Sequence, residues 1–296
     1  MQPLRMIGKT DTYLTPEQYQ YLENEITKIS QISLKARKIF KAVKNIDPGA
    51  QSYAFDTAGE MSPANIDWAW PGRLNIDAPT KERKSITIPY IHKEGKIGKY
   101  DLLSSQRNGA PLDTTTFEAC ALKVTRLIDE MLLLGWSENG TNYHIKGLYT
   151  AAGNDIATSL PFSNAANIET ALTLSTAALL NNGFEGPYNL ILNPAQYTMM
   201  GKRIDPATGD TWRKWAQENV LLGGEVIASG TIPAGKGLVS PVEHAEAFKL
   251  ILAEDTTLET AITDLEDGSN LFGRVYFRGL PVVYQPLGLC RLSNIG

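Results

Sequence analysis

A long proline-bearing stretch, residues 47–84, constrains the fold of this chain more than any other feature. Its inner prolines, at positions 63, 71 and 79, are incompatible with helix interiors and with central strands. Trp68 and Trp70 lie two residues apart, so their side chains point to the same side of an extended segment. Long stretches without helix of their own are usually functional or disordered. We predict an extended hairpin over residues 47–84 whose aromatic side faces a partner.

Basic residues accompany this stretch and the segment before it. The return limb of the hairpin carries arginine and lysine, and so does the segment 34–43. Aromatic residues and arginine are enriched where proteins meet partners. We therefore predict inter-subunit contacts at seven positions: Trp68, Trp70, Arg73, Lys81, Arg83, Arg37 and Lys38. The alternative is that the two tryptophans belong to the core of their own subunit.

Residues 115–135 carry the strongest helical pattern of the chain. One face of this segment is apolar through Phe117, Ala121, Val124, Ile128 and Met131. Gly135 is a suitable residue for ending the helix. A helix of about 20 residues spans about 30 Å, which predicts the spine of a domain.

The other segments predict a mixed α+β chain. A first helix starts at Thr15-Pro16 and carries an apolar stripe from Tyr19 to Ile29. After residue 149 helices and strands alternate, including a helix that Asn167 caps and whose inward side chains are Ala171, Leu174, Ala178 and Leu179. Short strands are predicted at 188–192, 225–228, 238–240 and 248–253, and short helices at 194–200 and 210–219. The last stretch predicts strands at 256–265, 271–278 and 281–292.

Composition argues against several classes of partner. The chain has 296 residues, 28 basic and 32 acidic, and a net charge of −4 without a Lys/Arg-rich block, so tight nucleic-acid binding is not expected. Any enclosed nucleic acid would be held as in a container. The polar first ten residues predict no secretory signal, and no apolar run is long enough for a transmembrane helix, so no membrane partner is expected. Cys120 and Cys290 have apolar neighbours and are predicted to be buried thiols.

No motif of the chain supports a reaction centre. Residues 230–236 match the spacing of a phosphate-binding loop, but Gly237 stands where that loop needs serine or threonine, and a strand pattern follows. We predict a tight turn there, with a nucleotide-binding enzyme as the remaining alternative. His92, His144 and His244 lack metal-ligand spacing. We therefore predict no catalytic, cofactor-binding or metal-binding residues, and no cofactor.

The order of the predicted elements and several short runs resemble one known family of folds. The runs are SITIP at 85–89, NGFEGPY at 182–188 with LIL at 190–192, and FKLIL at 248–252. Together they resemble the Hong Kong 97-type capsid fold, which tailed-virus major capsid proteins share with bacterial encapsulins. The resemblance implies an α+β fold in five parts: an N-terminal arm and helix (1–46), an extended E-loop hairpin (47–84), a P-domain with the spine helix (85–148), an A-domain (149–255) and a closing β-hairpin of the P-domain (256–296).

The resemblance also implies a function. The chain would be a structural shell protein, not an enzyme, that assembles as pentamers and hexamers into an icosahedral viral capsid. The capsid would enclose double-stranded DNA without sequence-specific binding, with portal and decoration proteins as further partners, and would be assembled in the host cytoplasm as part of the virion. The alternative is an encapsulin-type nanocompartment around a cargo enzyme. Residues 42–50 lack the Gly-Pro and Gly-Trp pairs of the encapsulin N-terminal pattern, which favours the virus.

Overall fold

The computed structural model describes residues 26, 35–43, 46–58, 78–98, 115–137, 144–204, 209–242, 244, 246–262 and 270–296. Thirteen strands occur within these residues: β1 (Ala42–Val43), β2 (Ser52–Ala58), β3 (Lys81–Thr87), β4 (Tyr90–Gly98), β5 (Gly135–Trp136), β6 (Ile145–Lys146), β7 (Asn154–Ile156), β8 (Tyr188–Leu192), β9 (Val226–Ala228), β10 (Gly237–Pro241), β11 (Phe248–Ile262), β12 (Asn270–Val283) and β13 (Cys290–Leu292).

The helices of the same residues are α1 (Thr115–Leu133), α2 (Leu148–Ala151), α3 (Ala165–Asn181), α4 (Pro194–Met199) and α5 (Trp212–Trp215). Short 3₁₀ turns occur at Ala36–Lys38 and Pro286–Gly288. α5 continues as a π-helix over Ala216–Val220. None of the helices in this part of the chain combines the length and the apolar character that a membrane crossing needs. The predicted helix from Thr15 lies outside the described residues, apart from the buried Ile26.

The first sheet carries the spine helix. Its strand order is β1-β11-β12-β4, and α1 packs against β4 and β12. A Cβ atom on Gly273 would lie 2.4 Å from the ring of Phe117, so only glycine permits this close approach. α1 ends where predicted, because Gly135 adopts a φ of +91° that favours glycine.

Two long strands of this sheet, β11 and β12, take the place of the four shorter strands that were predicted. β11 runs without a break from Phe248 to Ile262, and register shifts between Leu252 and Thr257 absorb the irregularity that resembled a strand end. β12 likewise continues through Pro281. The ladder with β4 has already ended at Arg278, so the missing N–H of Pro281 costs no bond on that side.

The second sheet has the order β7-β13-β10-β8-β9, and all five residues of β8 are buried. β13 therefore pairs in this sheet, whereas residues 256–296 were expected to complete only the P-domain. The difference arises because the chain turns at Pro286–Gly288 and crosses to the other sheet. A single hydrophobic cluster joins the residues of both sheets.

Two expectations for α3 are wrong. Asn164, not Asn167, caps the helix, with its side chain accepting from the N–H of Ala166 at 3.2 Å, while Asn167 donates to the carbonyl of Pro161. Leu174 is 44% exposed rather than turned inward. The buried face is the one that Ile168, Leu172, Ser175 and Leu179 share at helical spacing, which puts Leu174 on the other side.

The buried state of both cysteines is confirmed, and both are free thiols. Burial raises the pKa of the Cys290 thiol to about 12 and also raises the pKa of Cys120.

Candidate inter-subunit site

The hairpin predicted over residues 47–84 is paired at its root. β2 and β3 run antiparallel from the Ser52–Thr87 pair to the Ala58–Lys81 pair. On one face of this ribbon Tyr53 and Phe55 contact Tyr284. The two tyrosine hydroxyls lie 3.0 Å apart, and the Phe55 ring meets the Tyr284 ring edge-on at 5.1 Å. Burial is the main cause that raises the pKa of Tyr284, and the hydrogen bond with Tyr53 raises it further.

Arg278 holds the entry of the hairpin. Its guanidinium donates to the carbonyl of Pro48 and, at 2.7 Å, to the carbonyl of Ala50. Because Arg278 belongs to β12, the turn before β2 is fixed to the first sheet. The root of the hairpin is thus tied to its own subunit from two sides.

The other face of the hairpin carries two of the predicted contact residues. Lys81 and Arg83 lie opposite Ala58 and Asp56, on the face away from Tyr53 and Phe55. Both basic side chains are exposed, and no ion pair to either of them occurs among the residues that the structure describes. The structure therefore brings Lys81 and Arg83 together on an open face. Trp68, Trp70 and Arg73 lie outside the described residues.

The segment before the hairpin is bound to the body of the subunit. Arg37 forms a two-pronged ion pair with Asp255, in which Nη1 and Oδ1 lie 2.7 Å apart. Lys38 is exposed. Lys35 donates from Nζ to the carbonyl of Ala228 at 2.9 Å. Arg37 thus has a carboxylate partner in its own chain, and its contact with a second subunit remains a prediction, as does that of Lys38.

Sequence reasoning missed the buried carboxylate of Asp129. This residue of α1 is 7% exposed and accepts from the N–H of Ala36 at 2.8 Å and from the hydroxyl of Thr231 at 3.2 Å. Burial raises its pKa, against the opposing effect of these hydrogen bonds and of Lys35. The sequence did contain a signal for this burial, because Asp129 lies beside Ile128, a member of the apolar stripe of the helix.

Asp129 fastens three distant parts of the chain together. These are the spine helix, the segment at Ala36 and the turn at Thr231.

The phosphate-loop spacing at 230–236 forms a tight turn. The N–H of Lys236 donates to the carbonyl of Pro233, and β10 begins at the next residue. Lys236 places Nζ 5.7 Å from the ring centre of Tyr149, so its charge faces an aromatic ring. A strand follows instead of a helix, so the converging N–H groups that a phosphate loop requires are not formed.

The histidines contact aromatic rings, and Arg291 and Asp155 form an ion pair within the second sheet. No group of three potential metal ligands occurs among the described residues. Each histidine meets a different ring, with ring centres 5.0 Å apart for His92 and Tyr90 and 6.0 Å apart for the pairs of His144 with Trp136 and His244 with Phe184. Arg291 pairs with Asp155 at 2.8 Å across β13 and β7. Burial acts to raise the Asp155 pKa, but the hydrogen bonds from Arg291 and Ser293 outweigh it and hold the pKa below its usual range.

Comparison with known proteins shows which family the sequence of this chain matches. Residues 5–262 match a family model described as encapsulating protein for peroxidase. A diheme-cytochrome–encapsulin shell fusion protein of Kuenenia stuttgartiensis is 28% identical over 196 residues, 66% of this chain and 52% of the relative. The chain thus spans about half the length of that relative. The type 1 encapsulin shell protein EncA of Myxococcus xanthus is 25% identical over 218 residues, 72% of this chain and 74% of the relative.

The fold is also that of a tailed-phage capsid. The capsid of Myoviridae phage XM1 superposes with a TM-score of 0.65 at 15% identity, over 88% of this chain and 91% of that protein. This similarity confirms the predicted α+β fold of the Hong Kong 97 type. With most of its length inside the matched model, the chain belongs to the encapsulating-protein family, whose members are shell-forming structural subunits related to tailed-virus major capsid proteins.

Proposed function

We propose that this chain closes into an encapsulin-type icosahedral shell in the cytoplasm that encloses a cargo protein. The observation that carries the assembly mechanism is the two-faced hairpin root. One face is held by Tyr284 and Arg278 of its own subunit, while Lys81 and Arg83 stand exposed on the other. A ribbon fixed at its root and charged on its open face is suited to bind a neighbour. Contacts that are weak one by one become strong when many copies close.

The seven predicted contact residues belong to this proposal. Trp68, Trp70 and Arg73 would lie on the neighbour, and Lys81 and Arg83 would flank them. Lys38 offers an exposed charge beside Arg37, which has a partner in its own chain. We keep the division into arm, E-loop, P-domain and A-domain, with the A-domain centred on the second sheet. The pentamers and hexamers of the shell belong to the same proposal.

The relatives support a protein cargo. Both sequence relatives are named as encapsulin shells, and the family description names a peroxidase as the enclosed protein. A protein cargo is therefore the first candidate for this chain. The second candidate is a viral capsid filled with double-stranded DNA, with portal and decoration partners. It is favoured by the absence of the Gly-Pro and Gly-Trp pairs from residues 42–50 and by the fold shared with a phage capsid.

Purified particles test assembly and contents together. Electron microscopy should show closed shells of uniform size. Mass spectrometry of the washed particles should find a second protein, and their ultraviolet spectrum should lack a nucleic-acid component. Nuclease-protected DNA in place of a second protein would establish the viral alternative, and discrete small oligomers under all conditions would contradict both.

Deletion of residues 60–80 tests the role of the hairpin. The shortened subunit should keep its circular-dichroism spectrum but form no closed shells. The matched control is Lys236→Ala, which lies in the tight turn and should leave assembly unchanged. Normal shells from the deletion variant would disprove the proposed mechanism.

A further inference from the structure

One edge of the second sheet gathers loops from four parts of the chain. β8 and β9 run parallel, and β10 runs antiparallel to both β8 and β13, so β8, β9 and β13 point in the same direction. The segments that precede these strands therefore reach the same edge. They are residues 182–187, 221–225 and 286–288, and residues 242, 244, 246 and 247, which follow β10, join them.

Three leucines are exposed along this edge. Leu180, Leu222 and Leu287 expose 51%, 57% and 48% of their surface. Hydrogen bonds connect Asn182, two residues after Leu180, with Leu287, since Asn182 donates to Asn154 and Asn154 donates to the carbonyl of Leu287 at 2.7 Å. Leu222 is adjacent to the same loop, because a Cβ atom on Gly186 would meet its Cδ1 at 2.8 Å. Leu180 thus directly precedes this loop in the chain, Leu222 lies against it, and Leu287 is joined to its first residue through Asn154.

Leu222 has an unfavourable backbone conformation. Its φ of +54° is the only positive value found for a non-glycine residue in the described part of the chain. The left-handed region favours glycine and disfavours branched bulky residues. Leu222 therefore bears a conformational cost while exposing more than half of an apolar side chain. Burial of that side chain against another molecule would offset both costs.

The same edge is acidic. Glu185, Glu225 and Glu246 are exposed there, and none of them forms an ion pair with a described residue. The open face of the hairpin presents complementary charges at Lys81 and Arg83, which outnumber the carboxylate of Asp56 on that face and form no ion pair with a described residue. The hairpin of the same subunit is held at Tyr284 by its opposite face, which leaves this basic face to a different copy.

We propose that this edge receives the hairpin of a second copy of the chain. The leucine–glutamate edge consists of Leu180, Leu222, Leu287, Glu185, Glu225 and Glu246. The basic face at Lys81 and Arg83 lies along the three carboxylates, and the leucines are covered by the apolar part of the neighbour. The inference rests on the proposed shell function and adds to it the surface that each hairpin recognises.

A charge exchange tests the pairing. Lys81→Glu with Arg83→Glu, and Glu185→Lys with Glu225→Lys, should each abolish closed shells in electron microscopy while the circular-dichroism spectrum is kept. The combination of all four changes should restore the shells. As a control, Lys202→Glu with Arg203→Glu, both exposed, should not rescue the edge reversal. Shells that survive either reversal, or that the combination fails to restore, would overturn the proposal.

Leu222→Gly provides an independent test. Removing the left-handed leucine should raise the melting temperature of dissociated subunits. It should also raise the protein concentration needed for assembly about tenfold, which corresponds to about 1.4 kcal/mol per subunit. If Leu222 served only the fold of its own subunit, its replacement would not stabilise the subunit and weaken assembly at the same time. Unchanged assembly would therefore refute the inference. Failure of the wild-type protein to form shells would instead refute the proposed function.

Discussion

At the scale of single residues, Asp129 is the least expected feature of the molecule. Its carboxylate is buried on the apolar side of α1, and its partners are an N–H, a hydroxyl and the nearby Lys35. Burying a carboxylate is costly unless hydrogen bonds compensate. Here the pKa is raised, so burial outweighs the compensation.

Asp129→Asn should therefore change the pH dependence of stability. A folded pKa above the ordinary value of 3.8 means that the folded subunit binds the proton more tightly than the unfolded chain. The contribution of Asp129 to the free energy of unfolding is thus fully present below that value and is lost as pH rises through the folded pKa. Asparagine keeps an acceptor for the Ala36 N–H but cannot ionise, so the free energy of unfolding of this variant should no longer fall as pH rises through the pKa of Asp129. Urea titrations at several pH values measure this dependence.

The matched change Asp129→Ala should behave differently. It leaves the Ala36 N–H and the Thr231 hydroxyl without their acceptor, which should lower the free energy of unfolding by about 1–3 kcal/mol. Equal stability of the alanine and asparagine variants would show that the hydrogen bond from the Ala36 N–H contributes nothing.

At the scale of elements, the fit of α1 against the first sheet depends on a missing side chain. Gly273→Ala places a methyl group 2.4 Å from the Phe117 ring, and overpacking of this kind costs about 1–3 kcal/mol. The melting temperature should fall accordingly. Gly230→Ala is the control, because nothing lies within 4 Å of its added Cβ. Similar melting temperatures for the two variants would contradict the close approach.

The attachment of the hairpin can be tested at Tyr284. Tyr284→Phe removes the hydroxyl that Tyr53 contacts, a loss of about 1 kcal/mol. Amide hydrogen exchange should become faster in β2 and β3 and stay unchanged in α1. Tyr90→Phe is the control, because it removes a hydroxyl that interacts with Arg274 of β12, in the first sheet. Equal acceleration in α1 and the hairpin would indicate a global effect instead of a local attachment.

At the scale of the whole molecule, both sheets contribute to a single hydrophobic cluster. We therefore expect one cooperative unfolding transition for the dissociated subunit. The unfolding curves from circular dichroism, which follows both sheets, and from tryptophan fluorescence, which follows Trp136, Trp212 and Trp215 among others, should coincide. Two separated transitions would show that the sheets fold independently.

Local patterns predicted the spine helix, the buried strand β8 and the paired root of the hairpin. They failed where a choice depends on distant partners. Pro281 resembled a strand boundary because the early end of the β4 ladder is not visible in the local sequence. Asn167 resembled a cap, but the turn at Pro161 assigns it another acceptor. The partner of Arg37 within its own chain, Asp255, lies 218 positions away and was not expected from the sequence, while the contact of Arg37 with a neighbour stays a prediction.

The crossings between the two sheets have a mechanical consequence. The second sheet is connected to the rest of the subunit before β7, after β10 and before β13, and the strand directions put all three connections at one end of the sheet. Three connections at one end would by themselves let the second sheet rotate, but Thr231, at the opposite end of that sheet, donates to Asp129 of the spine helix. A change in curvature of the assembled wall should therefore move the second sheet and the spine helix together.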